Sequence, residues 1–114
     1  MFYVPSKDRH GNPIAHDAWV TATLETFGRL FRGATASRAR GVWRDDANGG
    51  TLRFEEPTIV TCFADPTLLG DAEVQATIRA FVRRVGRETN QGEVGIAIDS
   101  IYYAITEFEP GENR

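Results

Sequence analysis

The chain has 114 residues, 41% hydrophobic and 25% charged, with 13 Lys+Arg against 16 Asp+Glu and a formal net charge of -3. These values fit one compact domain and exclude collagen-like, disulfide-stapled and wholly disordered chains. A single Cys makes no internal disulfide, no apolar run nears the roughly 18 residues that span a bilayer, and no secretory pattern opens the chain, so a cytoplasmic protein is expected.

Phe2-Tyr3-Val4 is a short β-favouring run, and Pro5, which lacks an N–H, ends it or marks an edge. Ser6 to Pro13 is a turn-rich loop. A helix is predicted from His16 or Asp17, with Asp17 as cap and Trp19, Val20, Leu24, Phe27, Leu30 and Phe31 as its apolar stripe. Gly33 stops this helix, and Gly28 inside it suggests close packing on a sheet. Ala34 to Arg44 reads as a strand interrupted at Gly41. Asp45 to Gly50 is a reversal signal, and Thr51 to Phe63 is the next strand, bent at Pro57. Its second half, Thr58 to Phe63, is the most β-prone run and is expected to be central. Asp71 is the expected cap of a second helix, whose stripe is Val74, Ile78, Phe81, Val82 and Val85. Val94, Ile96 and Ile98 alternate as a half-buried strand, and Ile101 to Phe108 reads as a last one.

The order β-α-β-β-α-β, with an extra C-terminal strand, predicts an α+β fold of the ferredoxin-like, split βαβ plan: an antiparallel sheet with two helices on one face. One domain is expected over 1–108, with a flexible tail at 109–114. The uncovered sheet face calls for polar residues or a partner, so a homodimer is expected. Phe31-Arg32-Gly33-Ala34-Thr35-Ala36, Gly41-Val42-Trp43, Glu55-Glu56, Gly86-Arg87-Glu88 and Gln91-Gly92-Glu93-Val94 together resemble small uncharacterised bacterial proteins of this ferredoxin-like plan. Arg32 departs from the pattern, standing where a further Gly is expected. The resemblance implies the fold and no particular reaction.

Cys62 lies mid-strand and reads as a small buried hydrophobe. His10 and His16 lack the spacing of a metal site, so no metal and no cofactor is expected. Glu55 and Glu56 are strand neighbours, so they point to opposite faces and form no acid–base couple between themselves. The candidates for chemistry are Glu56, Tyr103 and His10; those for ligand contact are Tyr3, Trp43 and Tyr102, whose rings suit a cleft or an interface. Arg79, Arg83 and Arg87 recur at helical spacing, with Arg84 beside them, as a basic face.

With no strong catalytic constellation, the leading expectation is a small non-catalytic interaction module, homodimeric, with a protein partner and no membrane segment. The alternative is a small enzyme or ligand-binding protein with its site in the sheet cleft. A third reading, nucleic-acid binding through the basic helix face, is opposed by the acidic total charge.

Overall fold

The computed structural model describes residues 1–99 and 101–109. The fold is α+β. Strands β1 (Phe2–Val4), β2 (Thr35–Arg38), β5 (Thr58–Thr61), β6 (Val94–Ile98) and β7 (Ile101–Ile105) form a sheet in the order β2-β5-β1-β6-β7. Every neighbouring pair in it is antiparallel. Strands β3 (Gly41–Asp45) and β4 (Thr51–Glu55) form a separate hairpin.

Alternation explains the two faces of the sheet. Phe2 and Val4 are fully buried, so Tyr3 between them turns the other way. Val60 opposite Phe2, and Val94 and Ile96 on β6, complete the buried side. Helices α1 (His16–Phe31) and α3 (Ala72–Glu88) cover that side. Phe27 of α1 and Phe81 of α3 each meet the Phe2 ring near edge-on, at centroid distances of 6.0 and 5.9 Å. The three rings form a closed cluster, since Phe27 and Phe81 are themselves 6.0 Å apart. Aromatic edges set against faces add to the area they bury.

Asp71 caps α3 as expected, its carboxylate accepting from the Glu73 and Val74 N–H groups at 2.9 and 3.0 Å. The start of α1 differs from expectation: Ala15 is the capping residue, with no side-chain bond, and Asp17 lies inside the first turn. Gly28 is also corrected, because nothing lies within 4 Å of where its Cβ would stand. A short helix, α2 (Pro66–Leu69), occupies a segment that reads as loop; Asp65 caps it through the Thr67 N–H at 2.8 Å.

Two predicted strands each divide. The first breaks after Arg38 and the second before Thr58. Pro57 has no N–H to give a ladder, so β4 cannot run straight into β5. Instead the Pro57 carbonyl accepts from Ala39 N–H at 2.9 Å, which ties the two breaks together at the root of the hairpin. The central placement of Thr58 to Thr61, between β2 and β1, agrees with expectation. Cys62 and Phe63 lie beyond its end, and Phe63 is 94% exposed. The extra C-terminal strand is β7. Of the expected tail, all but Glu109 falls outside the described residues. Among the described residues no helix is long and apolar enough to cross a membrane.

Candidate functional site

On the uncovered face, Tyr3 of β1 and Tyr102 of β7 come together across β6. Their ring centroids are 5.9 Å apart in an edge-to-face pair. Tyr102 is opposite Ala97, and two residues back on the same strand face stands Gly95. A Cβ at Gly95 would fall far inside contact distance of the Tyr102 phenol. The missing side chain lets the ring lie flat along β6. Its O–H thereby reaches Glu93, donating to Oε2 at 3.1 Å.

A second carboxylate arrives from the hairpin. Glu55, the last residue of β4, pairs in register with Gly41. Its side chain passes 3.8 Å from the space a Cβ would occupy at Gly41. Although much of Glu55 is exposed, partial burial of its carboxyl pushes its pKa above the usual value. The Tyr102 phenol is pushed up to about 12, first by burial, then by its bond to Glu93 and the nearby negative charges, Glu55 among them. Tyr102 therefore remains a proton donor across the physiological range. Two aromatic rings, a fixed phenol and two carboxylates make this patch apolar in its walls and negative in its potential. Such a surface suits a cation carrying a flat, partly apolar body.

The ligand-contact residues thus separate: Tyr3 and Tyr102 meet, whereas Trp43 lies out on the hairpin, 51% exposed. It shares the hairpin face that carries Glu55. The three candidates for chemistry do not meet. Glu56 lines a polar cavity with His16, Arg38 and Arg40. Tyr103, on the opposite sheet face from Tyr102, lines an apolar cavity of about 230 Å³ with Ile78, Val82 and Ile96. His10 is exposed in the 6–13 loop, where its backbone N–H donates to Asp8 Oδ1 at 2.8 Å. That bond and the one from Asn12 N–H, the larger influence, hold the Asp8 carboxyl below its usual pKa. The expected opposition of Glu55 and Glu56 is what sends one to the tyrosine patch and the other to the polar cavity.

The arginine row is no single free face. Arg79 and Arg83 border the apolar cavity. Arg84 pairs with Glu88 at 3.0 Å and lies 5.2 Å over the Trp19 ring. Arg87 donates to the Phe108 carbonyl at 2.8 Å. Cys62 is half-buried, and burial raises its thiol pKa, which keeps it protonated and unreactive.

Glu93 and Gly95 escape a reading based on residue type. Their signal is the alternation Glu93-Gly95-Ala97, which leaves one strand face bare beside a tyrosine on the neighbouring strand.

No family model matches the chain, and no curated protein does. Among solved structures, the chain is similar to a phage SAM lyase in complex with S-methyl-5'-thioadenosine, with a TM-score of 0.66 and 18% identity, covering 92% of this chain and 85% of that one. The likeness is one of fold. It corrects the expectation of a small non-catalytic interaction module, because the scaffold that suggested a bare docking unit is in that protein an enzyme holding a small molecule. The basic face does not act as one unit, since Arg84 and Arg87 are held by local contacts while Arg79 and Arg83 border the apolar cavity.

Proposed function

We propose that this protein binds and cleaves S-adenosylmethionine (SAM), releasing S-methyl-5'-thioadenosine, at the patch formed by Tyr3, Tyr102, Glu93 and Glu55. The observation that carries this is the shared fold over 92% of the chain with a lyase that holds this thioether. The patch supports it by its chemistry. SAM is a sulfonium cation joined to an adenine ring, and the patch offers aromatic walls and negative charge.

Release of the thioether is written as an elimination: a base takes a proton from the carbon next to the one bonded to sulfur, that C–H pair becomes a carbon–carbon double bond in the amino-acid fragment, and the carbon–sulfur bonding pair leaves with sulfur. The sulfonium charge is cancelled in this step, and the leaving group is neutral, so no acid is needed to protonate it. Cleavage is favoured where water is excluded around the sulfonium. The rings of Tyr3 and Tyr102 do this on one side. Glu55, whose pKa is raised by partial burial, is the carboxylate we assign to take that proton.

The strand order, once the hairpin and β7 are set aside, supports the ferredoxin-like reading: β2 and β6 flank the β5-β1 pair. A homodimer is supported by the apolar residues left in solvent. Val42, Trp43, Leu52 and Phe54 are all more than half exposed, on both faces of the hairpin. A cytoplasmic site of action accords with a substrate of intracellular metabolism.

The test is a binding titration with S-methyl-5'-thioadenosine. The parent should bind, and Gly95→Ala should weaken binding about tenfold or more while keeping its circular dichroism, because the new methyl displaces the Tyr102 ring without entering the core. No binding by the parent, or unchanged binding by a folded Gly95→Ala variant, would overturn the assignment.

A further inference from the structure

A second cavity, of about 360 Å³, opens where the hairpin root meets the start of α1. Its volume is at the small end of the range for ligand sites. Unlike those of the cavity beside Tyr103, its lining residues are mostly of polar or charged type, although their apolar stems form much of the wall. Arg38, Arg40 and Glu56 stand around it. Among the described residues, none of these three makes an ion pair or a side-chain hydrogen bond. Opposite charges that share one cavity wall without touching are complementary to a molecule carrying both charges.

The backbone holds this arrangement in place. Arg38 is opposite Thr58 in the β2-β5 register. Ala39, between the two arginines, donates its N–H to the Pro57 carbonyl at 2.9 Å, which fixes the arginine-bearing turn against the residue that follows Glu56. His16 braces the floor. Its Nδ1 lies 2.7 Å from the Pro5 carbonyl and its Nε2 2.7 Å from Thr58 Oγ1. A carbonyl only accepts, so Nδ1 carries the proton and the Thr58 hydroxyl donates to Nε2 in the neutral ring. Both ring nitrogens are then committed, which makes His16 a positioning residue here. Ser6 Oγ is buried in the wall with no hydrogen-bond partner. The hydroxyl is shielded from the open space of the cavity, so Ser6 contributes to its wall and not to its polar surface.

We propose that this cavity is a binding site for a small α-amino acid in its zwitterionic form. The guanidinium groups of Arg38 and Arg40 take the carboxylate, for which their planar fork is suited. Glu56 takes the ammonium group. The site lies apart from the tyrosine patch and does not depend on the lyase reading.

The test is amide NMR of the whole chain with L-serine and two deletion probes, 3-hydroxypropanoate, which lacks the ammonium, and ethanolamine, which lacks the carboxylate. L-serine should shift the amides of residues 38–40, 56 and 58, and each deletion probe should bind about tenfold more weakly or worse. Arg40→Ala should remove the response to L-serine. Glu56→Gln should retain carboxylate binding but lose the preference for L-serine over 3-hydroxypropanoate. In both variants S-methyl-5'-thioadenosine should bind as it does to the parent, which separates this site from the other. No shift at millimolar L-serine, shifts at other residues only, or equal responses to all three probes would overturn the proposal.

Discussion

Tyr102 shows how a single side chain is placed by an absence. Gly95 contributes no atom to the patch, yet the path of the Tyr102 ring to Glu93 exists only because Gly95 has no side chain. This was illegible from residue types, since a glycine in a strand more often signals a bulge. It becomes legible only when the β6-β7 register sets Tyr102 against Ala97. Arg32 tells the opposite story. The sequence pattern calls for glycine there, and Arg32 indeed adopts the left-handed backbone, with φ of 71°, that glycine favours. The Tyr102 environment makes a pH prediction. Its phenol pKa is raised in the folded chain to about 12 from its ordinary value of 10.0. The unfolded state therefore releases this proton first, so the stabilising contribution is complete below pH 10 and is lost as pH climbs toward 12. Ultraviolet titration should show one phenolate forming near the upper value, absent in Tyr102→Phe. A titration curve that Tyr102→Phe leaves unchanged would contradict this.

Among the elements, α3 was the most legible and the hairpin the least. The α3 stripe has helical spacing, a capping Asp71 and a length well above the short-helix limit, so local and tertiary signals agree. Phe81 is its centre, 6% exposed and in contact with both Phe2 and Phe27. Phe81→Ala should cost about 3–5 kcal/mol, read as a lowered denaturation midpoint. An unchanged midpoint would mean that the aromatic cluster does not support the fold. For β3 and β4 the signals conflict. Residues on both of their faces are apolar, so alternation does not say which side is inside, and continuous runs on either side of the turn read as extensions of the sheet strands. Pro57 marked the bend, but not that the ribbon would leave the sheet altogether. The short helix α2 escaped because four residues are too few to show a period.

At the scale of the whole molecule, the strand and helix order was enough to indicate an antiparallel sheet with two long helices on one face. That order depends on hydrophobic periodicity spread over many residues. The site was less legible, because Tyr3 and Glu55 come from strands far in the chain from Glu93, just before β6, and Tyr102 on β7, so residue spacing does not bring the four together. The exposed apolar hairpin predicts association. Light scattering at micromolar concentration should give a mass at least twice the 12.7 kDa of one chain. A clean monomer over a wide concentration range would contradict that prediction and leave the hairpin unexplained. The central claim is the cleavage of SAM at the tyrosine patch. Its most direct measurement is incubation of the purified protein with SAM, with the released S-methyl-5'-thioadenosine followed by chromatography in the parent and in Glu93→Gln and Gly95→Ala. Release by the parent should run well above the rate without protein and fall about tenfold or more in both variants with the fold intact. Release no faster than the protein-free control, or undiminished in folded variants of both residues, would contradict it.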